Sequence, residues 1–122
     1  MTQVVTPAQI EARLYALSKE VDDAHNDLVE AEAEYHRIKS QYEISMAQQR
    51  IYFAQRTAPN GKNYTVQERD DHALLQNQGL HIDMGIVEAR VKASRGNSQR
   101  IKTQVEIARS IGTSVRTSLD LT

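Results

Sequence analysis

The strongest constraint on the fold of this chain is an unbroken alternation of four- and three-residue steps between apolar residues. The apolar positions are Ile10, Leu14, Leu17, Val21, Ala24, Leu28, Ala31, Tyr35, Ile38 and Tyr42. An apolar residue every 3.5 positions is typical of the seam of a coiled coil. A stripe this narrow cannot form a globular core alone and must be covered by another helix. The chain is therefore expected to act through helix–helix contacts, as an interaction or scaffold protein.

The helix that carries this seam has a clear start. Thr6 is a good N-cap residue, Pro7 suits the first helical position, and Gln9 can complete a capping box. No further proline or glycine occurs before Pro59. After Tyr42 the apolar positions fit no single continuation of the heptad, and a stutter or a change of partner helix is expected there. The pattern predicts a first helical arm over residues 7–57.

A loop signal separates this arm from a second one. Pro59 cannot continue a helix, and Asn60-Gly61 favours a turn with positive φ. Thr65 and Glu68 then have the spacing of a second capping box. We predict a tip over residues 58–65 and a second arm over 66–119. The expected architecture is a single all-α domain over 1–122, a long antiparallel helical hairpin or coiled coil.

The second arm repeats the four–three spacing with smaller residues. The positions are Leu80, Met84, Val87, Val91, Ser94, Ser98, Ile101, Val105, Ala108, Gly112, Val115 and Leu119, and Ala73 and Asn77 extend them backward. Two interpretations remain open for Ser94–Ser98. The segment could kink the helix or begin a separate C-terminal helix after Gly96, or its small residues could allow close helix approach.

A further apolar stripe on the second arm predicts self-association. It consists of Leu75, Ile82, Ile86, Ala89 and Ala93, which face away from the seam of the same arm. One hairpin cannot bury both stripes, and each buried Leu or Ile contributes roughly 1.5–3 kcal/mol. A homo-oligomer is the simplest expectation. An exposed stripe and a different protein partner are the alternatives.

Composition argues against several classes of function. The chain has no cysteine, which rules out disulfides and thiolate sites, and no apolar run of membrane-spanning length. The N-terminus has no visible signal-peptide pattern, so a cytoplasmic protein is expected. His25, His36, His72 and His81 each lack further ligands at metal spacing. We therefore expect no catalytic residues, no metal and no cofactor.

Two sets of basic residues are candidate contacts for single-stranded DNA. The tip set interleaves bases with rings and comprises Arg50, Tyr52, Phe53, Arg56, Lys62 and Tyr64. The second set comprises Lys92, Arg95, Arg100 and Lys102, in a segment where residues 87–122 hold seven bases and three acids. Bases can follow a DNA backbone while rings stack on the nucleobases. The alternatives are that the rings close the end of a coiled coil and that the bases balance the acidic first arm.

The run Val91-Lys-Ala-Ser-Arg-Gly-Asn-Ser-Gln-Arg-Ile101 resembles the Lys/Ser-Arg-Gly segment of tailed-phage recombination mediators of the UvsY type. The order of parts is similar too, with Ala47-Gln-Gln-Arg-Ile-Tyr-Phe53 ending a long helix before a glycine-containing tip. The regular heptad of residues 10–42 departs from that family. The resemblance implies an oligomeric helical protein in the host-cell cytoplasm. It would bind single-stranded DNA and help load a RecA-like recombinase in place of a single-strand-binding protein. Lys92 and Arg95 are the family-matched DNA contacts.

Two other classes of function fit the same pattern. A structural coiled-coil protein, such as a phage assembly scaffold, a chaperone or an adaptor, would need the seam but no nucleic acid. A host-takeover protein would use an exposed apolar stripe to bind a bacterial enzyme.

Overall fold

The computed structural model describes residues 5–120, and they fold as an all-α protein, as predicted. Helix α1 spans Pro7–Ala54, α2 spans Val66–Gln76 and α3 spans Gln78–Asp120. No strand occurs among these residues, although an isolated bridge pairs Thr57 with Asn63 in the loop after α1. Within the same residues, no helix combines the length and apolar character needed to cross a membrane.

Side chains close the N-termini of α1 and α2 as the capping boxes predict. At α1, the Gln9 backbone N–H donates to Thr6 Oγ1 over 3.3 Å, and the Thr6 N–H donates to Gln9 Oε1 over 2.9 Å. At α2, Thr65 and Glu68 make the same reciprocal pair. Each box satisfies two N–H groups that have no partner inside a helix. Polar side chains therefore fix where both helices begin.

The loop between α1 and α2 is held by its own backbone. The Ala58 N–H donates to the Lys62 carbonyl over 2.8 Å, and the Gly61 N–H donates to the Ala58 carbonyl over 2.9 Å. Gly61 has a φ of +81°, which glycine adopts without steric cost. Ala58 is buried, so this loop packs as well as turns. Helix α1 ends at Ala54, three residues before the predicted end of the first arm.

The break in the second arm lies at Asn77 and not at Ser94–Ser98, so, of the interpretations left open for that segment, a separate helix after Gly96 is wrong. Helix α3 continues through Gly96, where open space surrounds the backbone and the cost of glycine is only about 1 kcal/mol. The buried side chains of Val91 and Ile101 hold the helix on either side. At Asn77, the side-chain amide donates to the Ala73 carbonyl over 2.8 Å. This bond competes with the regular helical ladder.

The helices contribute to two compact units. The first unit combines Met1–Glu30 with Lys92–Thr122, of which residues 5–30 and 92–120 are described, and the second is Ala31–Val91. In the first unit, Leu17, Ala24, Ile101 and Ala108 form the core. Gly112 marks a close approach of the two helices, because a Cβ at that position would lie 3.3 Å from Ile10 Cγ2. Small residues in this seam therefore permit tight packing.

The second unit changes the spacing of its buried residues. Ile38 and Met46 of α1 are buried and lie eight positions apart, where a strict heptad would require seven. The seam therefore stutters after Tyr42. In this unit Ala73 of α2, Val87 and Val91 of α3, and Asn77 between the two helices are also buried. The Asn77 amide lies 3.7 Å from Met46 Sδ across the packed helices.

Stability is expected to depend on the fully buried layer of α1. Leu17 has no exposed surface, so Leu17→Ala should lower the free energy of unfolding by about 2–5 kcal/mol. Leu28 is only half-buried, so Leu28→Ala should lower the free energy of unfolding by less than Leu17→Ala does. Urea denaturation followed by circular dichroism measures both changes.

Ile44→Ala is the matched control, because 60% of Ile44 is exposed. It should change the free energy of unfolding by no more than about 0.5 kcal/mol. Equal losses for Leu17→Ala and Ile44→Ala would contradict the assigned core.

Candidate nucleic-acid interface

The first candidate surface is a cluster of rings in the second unit, near the end of α1. Phe53 lies at its centre and stacks on His72, with ring centroids 4.7 Å apart and an angle of 21° between the planes. Tyr64 meets both rings edge-on, at 5.3 Å from Phe53 and 5.2 Å from His72. Phe53 and Tyr64 are only partly exposed. Their faces are therefore engaged in packing α1 against the loop and α2.

Tyr52 is the exposed ring of this cluster. Its ring lies edge-on to Phe53, and the Arg56 guanidinium lies 4.0 Å from its centroid. An arginine at this distance from a tyrosine face makes a cation–π contact. Tyr52 is 45% exposed, and the positively charged Arg56 guanidinium lies over its ring. Tyr52 and Arg56 are therefore the part of the tip set that most resembles a stacking platform.

The other bases of the tip set have different surroundings. Arg50 Nε donates to Asp70 Oδ1 over 2.8 Å and forms an ion pair that links α1 to α2. Lys62 lies exposed in the loop. The structure thus brings Tyr52 and Arg56 together but binds Arg50 to an acid.

The second candidate surface is a row of bases on α3 in the first unit. Lys92 and Arg95 lie three residues apart, and Lys102 follows Arg95 by seven. Arg109 and Arg116 continue the row at the same seven-residue interval. Residues seven apart lie on one helix face, about 10.5 Å from each other along the axis. All five side chains are exposed.

Sequence reasoning did not select Arg109 and Arg116 as contacts. Their seven-residue interval from Lys102 was the available signal, and local clustering of charge concealed it. Arg100, which was selected, lies off the row. Its guanidinium donates to Asn97 Oδ1 over 2.8 Å and lines a groove with Glu20, Asp23 and Asp27. In the structure, the candidate DNA contacts on α3 are therefore an extended row of bases and not the local cluster that the sequence suggested.

Part of the base row borders an open groove between α1 and α3 of the first unit. The groove has a volume of about 500 Å³ and contains Leu14 and Val21 of the seam. Lys102 and Arg109 line it on the α3 side, together with Glu106. Asp22 lines it on the α1 side. The row is thus positive along α3 and partly balanced by acids at its edge.

The seam residues fall into two layers of burial. Ile10, Leu17 and Ile38 of α1 are buried, as are Val87, Val91 and Ile101 of α3. A second set is only half-buried and comprises Leu14, Val21, Leu28, Tyr35, Tyr42, Met84 and Val105. The stripe residues Leu75, Ile82 and Ile86 are exposed by 67%, 52% and 63%. Apolar surface therefore remains available on both sides of the packed helices.

The histidines occupy different settings along the helices. His72 stacks on Phe53, Tyr42 lies 5.6 Å from the His81 ring, and His36 lies edge-on to Tyr35. Among residues 5–120, no three His, Asp or Glu side chains are grouped closely enough to hold a metal ion.

The ring cluster is expected to act mainly as a packing element. Phe53→Ala should lower the free energy of unfolding by about 1–3 kcal/mol, because Phe53 contacts three other rings. Tyr52→Ala is the neighbouring control and should cost less than about 1 kcal/mol, since Tyr52 is exposed. Thermal and urea unfolding measure both values, and a larger loss at Tyr52 would contradict the assignment.

Comparison with known proteins assigns no family to this chain. No family model, curated protein or solved structure matches it. The resemblance to UvsY-type mediators therefore stays a prediction based on residues 91–101 and on the order of parts. The functional interpretation depends on this chain's own residues and their arrangement.

Proposed function

We propose that this chain is an oligomeric accessory protein that binds single-stranded DNA and helps load a RecA-like recombinase in place of a single-strand-binding protein. The observation that carries the proposal is the exposed row of bases on α3 at seven-residue spacing. The recombinase and the single-strand-binding protein are inferred from the resemblance of residues 91–101 to mediator proteins. The proposal assigns no catalysis to the chain and places it in the cytoplasm.

The base row matches the electrostatic needs of a single strand. From Arg95 to Arg116 it extends over 21 residues, which is about 31 Å of helix. Positive side chains along such a length can follow several phosphates and release their counterions. Tyr52, with Arg56 on its face, offers one exposed ring for base stacking. These features suit a strand bound without sequence preference.

The hairpin architecture and self-association belong to this proposal. In the second unit, Glu34, Met46 and Arg50 of α1 contact Arg90, Asn77 and Asp70 respectively, so residue numbers rise on one side as they fall on the other. This antiparallel order supports a helical hairpin. An oligomer would repeat the base row, and linked weak contacts give useful avidity to a chain whose formal charge is only −1.

A structural coiled-coil protein without a nucleic-acid role is the second candidate. The observation that favours it is that several charged side chains and aromatic rings are already paired with one another within the chain. Arg90 pairs with Glu34 over 2.8 Å, Arg50 pairs with Asp70, and Phe53 and Tyr64 pack on each other. In the first unit, α1 and α3 carry opposite excess charges of equal size. A scaffold, chaperone or adaptor would need no more than this.

The DNA-binding proposal predicts a defined salt dependence. Lys102→Ala combined with Arg109→Ala should weaken binding to fluorescent oligo-dT, because two phosphate contacts are lost. The slope of log K against log salt concentration should fall by about 1.4 for each DNA-contacting chain, at about 0.7 per contact. Fluorescence anisotropy across a salt series measures this slope. Lys92→Ala with Arg95→Ala should act in the same direction.

Arg37→Ala with Lys39→Ala is the matched control. Both residues are exposed on α1, and their removal deletes the same charge from a helix that does not carry the row. This control should leave the slope unchanged. Absence of oligo-dT binding at low salt, or equal effects of the two double variants, would overturn the proposal and favour the structural candidate.

A further inference from the structure

Helix α3 carries a second series of apolar residues at coiled-coil spacing, which lies exposed on a different face from its buried seam. Leu75 at the end of α2 begins the series, which we call the outer row. It continues on α3 and consists of Leu75, Gly79, Ile82, Ile86, Ala89, Ala93 and Gly96. The steps are four, three, four, three, four and three residues without a miss. Every member is exposed.

The outer row cannot share a neighbour with the buried seam. On a helix of 3.6 residues per turn, the outer row lies about 135° around the axis from the line through Val87, Val91 and Ser94. Those three residues are buried, whereas Ile82 and Ile86 are exposed by 52% and 63%. Gly79 and Gly96 have open space around the position of a Cβ. The row thus presents a regular apolar surface, with no side chain at Gly79 and Gly96.

We propose that a second copy of this chain covers the outer row, with the two α3 helices antiparallel about a two-fold axis. In this register, Ile82 packs on the partner's Ala93, and Ile86 packs on the partner's Ala89. Gly79 approaches the partner's Gly96. Each large residue therefore meets a small one, and the same pairing recurs on the other side of the axis, as an isologous interface requires.

Charges beside the row favour this register over a parallel one. Asp83 and Arg90 follow Ile82 and Ala89 and occupy equivalent flanking positions. In the antiparallel dimer, Asp83 of each chain faces the partner's Arg90. A parallel pair would instead place Asp83 opposite the partner's Gln78 and Arg90 opposite the partner's Gly85, so no acid would meet a base. Complementary flanking charges are how coiled coils select orientation.

Arg90 is already held in a suitable place by its own chain. Its Nη1 atom donates to Glu34 Oε2 over 2.8 Å, and 43% of its side chain remains exposed. A guanidinium has five N–H donors and can bind a second carboxylate. The Glu34 contact thus orients Arg90 while part of its side chain stays exposed.

This inference rests on the self-association included in the proposed function, but it does not depend on DNA binding. It identifies which surface pairs, what covers it and in which direction. Lys102, Arg109 and Arg116 lie on a different face of α3, so these three bases stay accessible when the outer row is covered.

Mass measurement tests the interface directly. Multi-angle light scattering of the full chain should give twice the 13.8 kDa of one chain, or an even multiple. Ile82→Glu combined with Ile86→Glu should halve that mass, because two charges replace the centre of the row. Both side chains are exposed, and circular dichroism should show unchanged helix content. A monomeric unmodified chain, or an undiminished mass in the double variant, would overturn the inference.

Ile44→Glu with Ile51→Glu is the matched control on α1. These isoleucines are 60% and 58% exposed, close to the values for the outer row. The control should keep the mass of the unmodified chain. Equal dissociation of both double variants would overturn the inference by removing the specificity of the row.

A charge exchange tests the antiparallel register without depending on the isoleucine variants. Asp83→Arg and Arg90→Asp should each weaken self-association by at least about tenfold, since each places like charges in contact. An equimolar mixture of the two variants should restore the dimer, because every contact then joins an acid to a base. Failure of the mixture to restore it would overturn the register.

Oligo-dT anisotropy on the same samples separates the two proposals. A dimer disrupted by the Ile82 and Ile86 changes, in a chain that binds no oligo-dT, supports the inference and overturns the DNA-binding function. A monomeric chain that binds oligo-dT overturns the inference and leaves DNA binding in place.

Discussion

The structure depends on a mismatch between the apolar surface of its helices and the surface that one neighbouring helix can cover. In the first unit, Leu17 and Ala24 are buried against α3, but Leu14, Val21 and Leu28 on the adjacent positions of the same heptad are only half-buried. Two packed helices enclose one layer well and leave the next at the edge. Apolar burial is the main favourable term in folding, so the exposed remainder favours further association.

Much of the fold could be predicted because it follows from local chemistry. Thr6 with Gln9 and Thr65 with Glu68 cap helices through contacts only three residues apart, and Gly61 supplies the positive φ of the loop. The four–three spacing also anticipates which face of each helix is buried. These features require no knowledge of distant contacts. For that reason, the all-α class and the starts of α1 and α2 follow from the residues themselves.

The features that sequence reasoning missed come from competition and from long-range packing. Asn77 interrupts the second arm because its amide bonds a backbone carbonyl in a buried setting, whereas the conspicuous Gly96 lies in open space and leaves the helix intact. His72 joins Phe53 and Tyr64 only because helix packing brings together residues up to 19 positions apart. The tip rings therefore appear free in the sequence but are largely occupied in the fold.

The proposed activities use different faces of α3. Its inner face packs on α1, its outer row is suited to a second copy of the chain, and its base row is suited to phosphate. Most substitutions in α3 would therefore affect at least one of these three faces. The small residues are consistent with this division. Gly112 permits close packing on Ile10, and Gly79 and Gly96 present no side chain on the outer row.

We propose that the helices complete their apolar contacts by association, and the concentration dependence of thermal unfolding measures this association. Binding to the folded state raises Tm with protein concentration by mass action. Circular dichroism melts over a range of about a hundredfold in concentration should therefore show a steadily rising Tm. A Tm that does not change over that range would contradict the proposed association, because it would show that the chain folds as a monomer and needs no partner to cover its apolar helix faces.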